Sequence, residues 1–348
     1  MRNLNLLYCS AYYDEYTETG ANIRFKEIGC RLPQYCDITT LTPTRNQKKT
    51  FSKHSRLRFL WAGRLAAAIE IFIRFKLGKY DVLITDLAPT VPSHNTYFMI
   101  HDLRQFTKFK RHRRMFSDYL YSLNLKVQKK FVTVSHFTRE ELLNIGIKAS
   151  EIVVSYNGVE PIDSTLHCSD KKIDILYVAT FEERKNHALL IGALAEFKNF
   201  APNFRCLLLG RDLGTLDEVR NLVNENKLLA NITFIESCSD FELYNLYKQT
   251  RVFVSTSLYE GFGMPLIEAL NHGLIVVCGD IPVFTELSEK HFRFYKQNSK
   301  SSLINVLKEA YSSRSSEQDA SDFIRQQFDW GRITEKLVSD IQFGLGKP

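Results

Sequence analysis

A chain of 348 residues, 44% hydrophobic and 12% aromatic, is long enough for two α/β-sized cores and too apolar to stay disordered. Its seven cysteines form neither a Cys-x-x-Cys pair nor a zinc-like spacing with histidine, which excludes a disulfide scaffold and fits reduced, mostly buried thiols. The formal charge of +7 divides unevenly: residues 1–150 hold 25 Lys and Arg against 12 Asp and Glu, and residues 151–348 hold 21 against 27, so only the first half suits a polyanion or an anionic membrane.

Short apolar runs alternate with helix-length segments along the chain, the pattern of βα units and parallel sheets. In the first half, strands are expected at Leu4–Cys9, Cys36–Leu41, Tyr80–Thr85, Thr96–Ile100, Phe131–Val134 and Ile152–Ser155. The start at Met1-Arg2-Asn3 runs straight into a strand without a signal-peptide pattern, and the apolar stretch Leu65–Ile73 contains Glu70 and is shorter than the roughly 20 residues a membrane span needs. A cytoplasmic protein without a transmembrane helix is expected.

Two segments of this half could lie on a membrane. The run Arg56–Phe75 carries Leu57, Leu60, Trp61, Ala68 and Phe72 toward one side and reads either as a core-facing helix or as a surface helix with Arg58, Arg64 and Arg74 at lipid headgroups. Residues 104–116 place Arg104, Lys108, Lys110, Arg111, Arg113 and Arg114 among Phe106, Phe109 and Phe116, a mixture suited to the inner face of an anionic bilayer.

A polar, aperiodic stretch then separates the halves. The expected organisation is a first Rossmann-like domain at 1–160, a linker at 161–172, a second Rossmann-like domain at 173–329 and a terminal helix at 330–348. Strands of the second domain are expected at Ile173–Ala179, Phe204–Leu209, Ile232–Ile235, Val252–Ser255 and Leu274–Cys278.

In open parallel sheets, ligands gather beyond the carboxyl ends of the strands. The segment Val252–Gly273 reads as a buried strand, a polar turn, the glycines Gly261 and Gly263, and a helix with Pro265 in its first turn. Glycines there let a ligand approach the backbone, and the free amides and dipole of the helix start favour phosphate oxygens. Glu260 and Glu268 flank this anion site. Ionised carboxylates only accept hydrogen bonds, so either they serve the helix start as cap and dipole partner, or they take vicinal hydroxyls of a ribose or hexose. A sugar nucleotide offers both groups.

The spacing of Glu260 and Glu268 in EGFGMPLIE, within the gapless match of residues 239–287, resembles the signature of the retaining GT-B glycosyltransferases of family 4. That resemblance implies a GT-B fold, two Rossmann-like domains facing across a cleft, with a C-terminal helix crossing back to the N-terminal domain. It implies that Glu268 holds the donor ribose, that Glu260 lies by the donor sugar, and that the backbone of Gly261, Phe262, Gly263 and Met264 contacts phosphate and sugar. The segment Tyr177–His187 resembles the family's second motif, in which Arg184 and Lys185 would neutralise the leaving diphosphate. Ala179 stands where many members carry a further arginine. Tyr97–Leu103 resembles the strand followed by His-Asp, whose histidine, here His101, faces the donor sugar. Of the family's glycine-rich early loop only Gly20 is retained. Phe328-Asp-Trp330 opens the terminal helix, with Trp330 as a packing anchor.

The function so implied is transfer of a hexose-type sugar from a GDP-, UDP- or dTDP-sugar to a hydroxyl of a lipid-linked or polysaccharide acceptor in bacterial cell-surface glycan biosynthesis. The sequence holds no Asp-x-Asp motif, and neither metal nor cofactor is expected. The alternatives are a nucleotide-sugar epimerase or hydrolase of the same architecture, or a basic nucleic-acid-binding protein; against the latter, no RNP, KH or zinc-finger pattern appears.

Overall fold

The computed structural model describes residues 4–10, 19–42, 56–58, 64–88, 90, 93–109, 115–162, 171–313 and 320–346. They divide into two compact units, one of residues 1–158 with 327–348 and the other of residues 159–326.

Among the described residues, the first unit is built on seven parallel strands: β1 (Asn5–Cys9), β2 (Asp37–Thr42), β3 (Arg56–Arg58), β4 (Val82–Thr85), β5 (Thr96–Ile100), β6 (Lys130–Thr133) and β7 (Ile152–Val154). They lie in the order β3-β2-β1-β4-β5-β6-β7. Strands β1, β4 and β5 read as continuous apolar runs because helices cover both faces of a parallel sheet. The helices are α1 (Gly20–Arg31), α2 (Arg64–Leu77), α3 (Met115–Val127) and α4 (His136–Asn144). Thr19 caps α1 by accepting from the Asn22 amide, and Ser135 caps α4 through the Thr138 amide.

Register shows that α2 and α3 share one face of this sheet. Leu7 pairs with Leu83, Thr85 with Phe98 and Phe98 with Phe131, and parallel partners point to the same side. On that side Ala67, Ala68, Ile71 and Phe75 of α2 pack over Leu7, Leu41 and Leu83, while Leu125 of α3 and Leu142 of α4 pack over Phe98 and Phe131. Ala68 is therefore a core residue; the run 56–75 is not one helix, since residues 56–58 form strand β3 and the helix, which faces the core through Ala67, Ala68, Ile71 and Phe75, begins at Arg64. The side chains of Leu57, Leu60 and Trp61 lie outside the description, as do residues 110–114 and the side chain of Phe116.

The second unit repeats the plan with β8 (Ile173–Val178), β9 (Cys206–Leu209), β10 (Ile232–Ile235), β11 (Thr250–Ser255), β12 (Ile275–Gly279) and β13 (Phe292–Tyr295), ordered β10-β9-β8-β11-β12-β13 and all parallel. Its helices are α5 (His187–Phe197), α6 (Leu216–Glu225), α7 (Asp240–Gln249), α8 (Met264–Asn271), α9 (Pro282–Leu287), α10 (Lys300–Ser312) and α11 (Ser321–Gln327). The sequence Ser-Asp-Phe-Glu forms a capping box on α7: Ser239 accepts from the Glu242 amide and the Glu242 carboxylate accepts from the Ser239 amide. Two strands, β3 and β13, had no counterpart among the expected elements. Each is short and at a sheet edge, where no continuous apolar run is required.

The last helix, α12 (Trp330–Gly344), belongs to the first unit and packs against α1. Its buried residues Trp330, Ile333, Thr334, Leu337, Val338 and Ile341 recur at helical spacing. Trp330 is 2% exposed, and Gly158 makes room for it: a Cβ there would lie 2.8 Å from the indole and 2.6 Å from the Phe328 carbonyl. Tyr156 stacks on Phe328 beside this contact. The terminal helix thus crosses back to the first unit, with Trp330 as its anchor.

Candidate functional site

The order of the second sheet reverses between β8 and β11, and in such sheets the crevice beyond these two strands is the binding place. After β8 the chain makes a turn at Glu183–Lys185, and Asn186 takes a left-handed conformation before α5. After β11 it forms the loop 256–263. Several bonds staple the two segments together. Leu258 donates its amide to the Arg184 carbonyl at 2.7 Å, Tyr177 donates its hydroxyl to the Lys185 carbonyl at 2.7 Å, and Thr256 donates to the carbonyls of Lys185 and Asn186.

This stapling brings together three of the expected site residues. Glu260 accepts from Arg184 Nη1 at 2.8 Å and pairs through its other oxygen with Lys185 Nζ. Arg184 is held further by Glu182, at 2.8 Å, and by the Tyr259 carbonyl. Burial alone would raise the Glu260 carboxyl, but the combined pull of Arg184 and Lys185 with their hydrogen bonds holds it at about 2. Burial lowers the Lys185 ammonium, against the attraction of Glu260. The two cations expected to meet a diphosphate are paired with the carboxylate expected to meet a sugar.

Helix α8 starts directly beyond this cluster. Gly263 is its N-cap at φ +112°, and a Cβ there would come within 2.7 Å of the Phe284 ring, so the position requires glycine. The side chains of Phe262 and Met264 are buried, which leaves their main chain as the part that a ligand at the helix start can use. Gly261 precedes them in the same turn. Glu268, one turn into α8, accepts from the Tyr247 hydroxyl at 2.8 Å through Oε2. Burial raises its carboxyl, with Tyr247 opposing and Asp240 adding to the rise. His187, at the start of α5, is buried between the rings of Tyr177 and Phe181, and burial brings it down to about 3.

His101 follows β5 in the first unit. It lines a small cavity with Tyr8, Arg24 and Asp86 at the carboxyl ends of β1, β4 and β5, where the first sheet reverses. Burial, aided by the Arg24 charge, holds its imidazole at about 3, so it is neutral near pH 7 and offers one donor and one acceptor. Arg24 itself is 1% exposed and donates to Tyr156 O, Asn157 Oδ1 and Ser155 Oγ. Nothing in the helical pattern of α1 marks it as buried, because its partners lie more than 130 residues away. Gly20 is the first residue of α1, next to the cap Thr19; the loop before it, 11–18, lies outside the described residues. Among the described residues, no three His, Cys, Asp or Glu side chains converge as metal ligands.

Comparison with known proteins finds a family match over the second unit. Residues 160–327 match the family described as glycosyl transferases group 1. The chain is 30% identical over 135 residues to the serotype-specific mannosyltransferase WbdA of Escherichia coli, covering 38% of this chain and only 17% of that protein's length. It is 25% identical over 300 residues to the O-antigen chain mannosyltransferase RfbU of Salmonella typhimurium, covering 82% and 75%. Among solved structures, sucrose-phosphate synthase from Thermosynechococcus elongatus superposes with a TM-score of 0.78 over 99% of both chains at 17% identity. Family match, strand orders and the returning terminal helix agree: residues 160–327 match the glycosyl transferases group 1 family, and the chain has the GT-B fold.

Proposed function

We propose that the protein is a retaining hexosyltransferase that moves mannose, or a closely related hexose, from a nucleoside-diphosphate sugar to a hydroxyl of a lipid-linked or polysaccharide acceptor in cell-surface glycan synthesis. The observation that carries this reading is the joining, at one strand-order reversal, of the Arg184–Lys185–Glu260 cluster, the glycine-capped start of α8, and Glu268. Two adjacent cations and a row of helix amides suit a diphosphate; carboxylates beside them suit the hydroxyls of ribose and sugar. The choice of mannose leans on WbdA and RfbU, both named as mannosyltransferases.

In the proposed reaction the donor C1–O bond breaks while the acceptor oxygen bonds C1 on the same face. The acceptor proton passes to the leaving diphosphate, whose developing charge Arg184 and Lys185 offset. His101, being neutral, serves as a hydrogen-bonding partner of the sugar. The first unit then takes the acceptor and the second the donor.

Radiolabelled GDP-mannose, UDP-glucose, UDP-galactose and dTDP-rhamnose, each with and without lipid and polysaccharide acceptor extracts, test the assignment. Transfer from GDP-mannose with retained configuration is expected. Sugar isomerisation without transfer would replace this reading with an epimerase, and release of free sugar alone would replace it with a hydrolase.

Peripheral attachment to an anionic membrane is part of the same proposal. On the sheet face shared by α2 and α3, Ile69, Ile73 and Leu77 form one exposed apolar stripe, and Tyr119, Leu123 and Val127 form another; Leu77 is 78% and Tyr119 64% exposed. Phe106 is exposed as well, in the segment that leads into the basic run 108–114. No described helix is long and apolar enough to cross a membrane. The expected result is cosedimentation with vesicles containing phosphatidylglycerol, weakened by salt and by Ile73→Asp with Leu123→Asp. Equal recovery in the supernatant with neutral and anionic vesicles at low salt would end the membrane part of the proposal.

A further inference from the structure

A carboxylate on a helix has a rotatable chain and no fixed plane, so a bidentate contact with two hydroxyls needs a partner that sets its orientation. Glu268 has one. Tyr247, at the last turn of α7, donates to Oε2 at 2.8 Å, while no described side chain takes Oε1. The phenol is itself fixed. It is 2% exposed and stacks on His272 with ring centroids 4.9 Å apart at 26°. His272 Nδ1 lies 2.8 Å from the Glu268 carbonyl, and Tyr244 meets the same imidazole edge-on. One aromatic stack therefore ties α7 to the turn of α8 that carries the carboxylate.

We propose that Tyr247 is a positioning residue for donor binding: its hydroxyl fixes the Glu268 carboxylate so that Oε1 and the second lone pair of Oε2 accept the vicinal hydroxyls of the nucleotide ribose. The inference rests on the donor-site reading above. Burial and the charges of Glu268 and Cys238 hold the phenol well above its ordinary value, so it remains a donor throughout the working range. The other charged group facing Glu268 is Asp240 at the start of α7, which favours the protonated carboxyl, whereas the Tyr247 bond favours the ionised one. Removing the hydroxyl should therefore both loosen the carboxylate and make it easier to protonate.

The test measures calorimetric binding of GDP or UDP, whichever the wild type binds more tightly, and of its 2′,3′-dideoxy analogue, to wild type, Tyr247→Phe and Glu268→Ala between pH 5 and 8. Wild type should prefer the ribose form, and Glu268→Ala should lose that preference. Tyr247→Phe should weaken the ribose nucleotide roughly tenfold while leaving the dideoxy analogue nearly unchanged, as loss of one charge-assisted hydrogen bond predicts. Its acid limb of binding should move to higher pH, and kcat at saturating donor should hold while KM rises. A Tyr247→Phe loss that is equal for both nucleotides, without a shift of the acid limb, would make the tyrosine merely structural and overturn the inference. If Glu268→Ala keeps the ribose preference, or wild type has none, the ribose assignment beneath it fails instead.

Discussion

Lys185→Ala is expected to slow sugar transfer by about two to three orders of magnitude at saturating donor, the usual cost of removing one preorganised charge-stabilising group. The reason lies in how the lysine is held. Its carbonyl accepts from Tyr177 and Thr256, so the backbone that carries the ammonium is fixed to the loop after β11 before any donor arrives. The ammonium is nearly buried, and its interaction with a developing phosphate charge is correspondingly less screened. Arg184→Ala should cost less, because the Arg184 guanidinium is already shared among Glu182, Glu260 and the Tyr259 carbonyl. Single-turnover rates with saturating donor check both. A folded Lys185→Ala enzyme with near-normal turnover would remove Lys185 from the chemical step and leave it as a partner of Glu260 alone.

The parts of this site that are local in sequence could be read from it, and those that are not could not. Glycine at 263 followed by Met-Pro announces a helix start, and the structure has α8 beginning there. The strands Thr96–Ile100 and Ile232–Ile235 appear with the expected bounds because turn residues flank each apolar run. By contrast, Glu260 meets Arg184 and Lys185 across about 75 residues. The family resemblance implies a ligand for the cations and a sugar for the carboxylate without showing that they satisfy one another. Arg24 and Tyr247 escaped for the same reason. An arginine on a helix is ordinarily solvated, and a tyrosine at core spacing is ordinarily packing; only the distant partner turns either into a polar contact. Edge strand β13, Phe292–Tyr295, has half-buried Arg293 and Phe294 between buried Phe292 and Tyr295 and so lacks the continuous run used to find its neighbours.

Glu260→Gln is expected to lower stability at neutral pH by about 3 kcal/mol, the free-energy equivalent of a carboxyl held near 2 instead of its ordinary 4.5. The sign follows from proton binding. Between pH 2 and 4.5 the unfolded chain holds the Glu260 proton while the folded chain does not, so acid favours unfolding in that window. The contribution is complete above pH 4.5 and disappears as pH falls toward 2. Glutamine keeps the shape and one acceptor oxygen but leaves two nearly buried cations without their shared charge, the situation that makes a broken buried pair more damaging than an absent one. Urea unfolding at pH 7 and pH 3 should therefore show a wild-type advantage at pH 7 that has fallen to about half or less at pH 3. A nucleoside diphosphate brings its own negative charge to the same cations and should raise the melting temperature of Glu260→Gln more than that of wild type. A stability gap independent of pH would assign the loss to packing, and a nucleotide shift no larger than wild type's would separate the cation pair from the diphosphate.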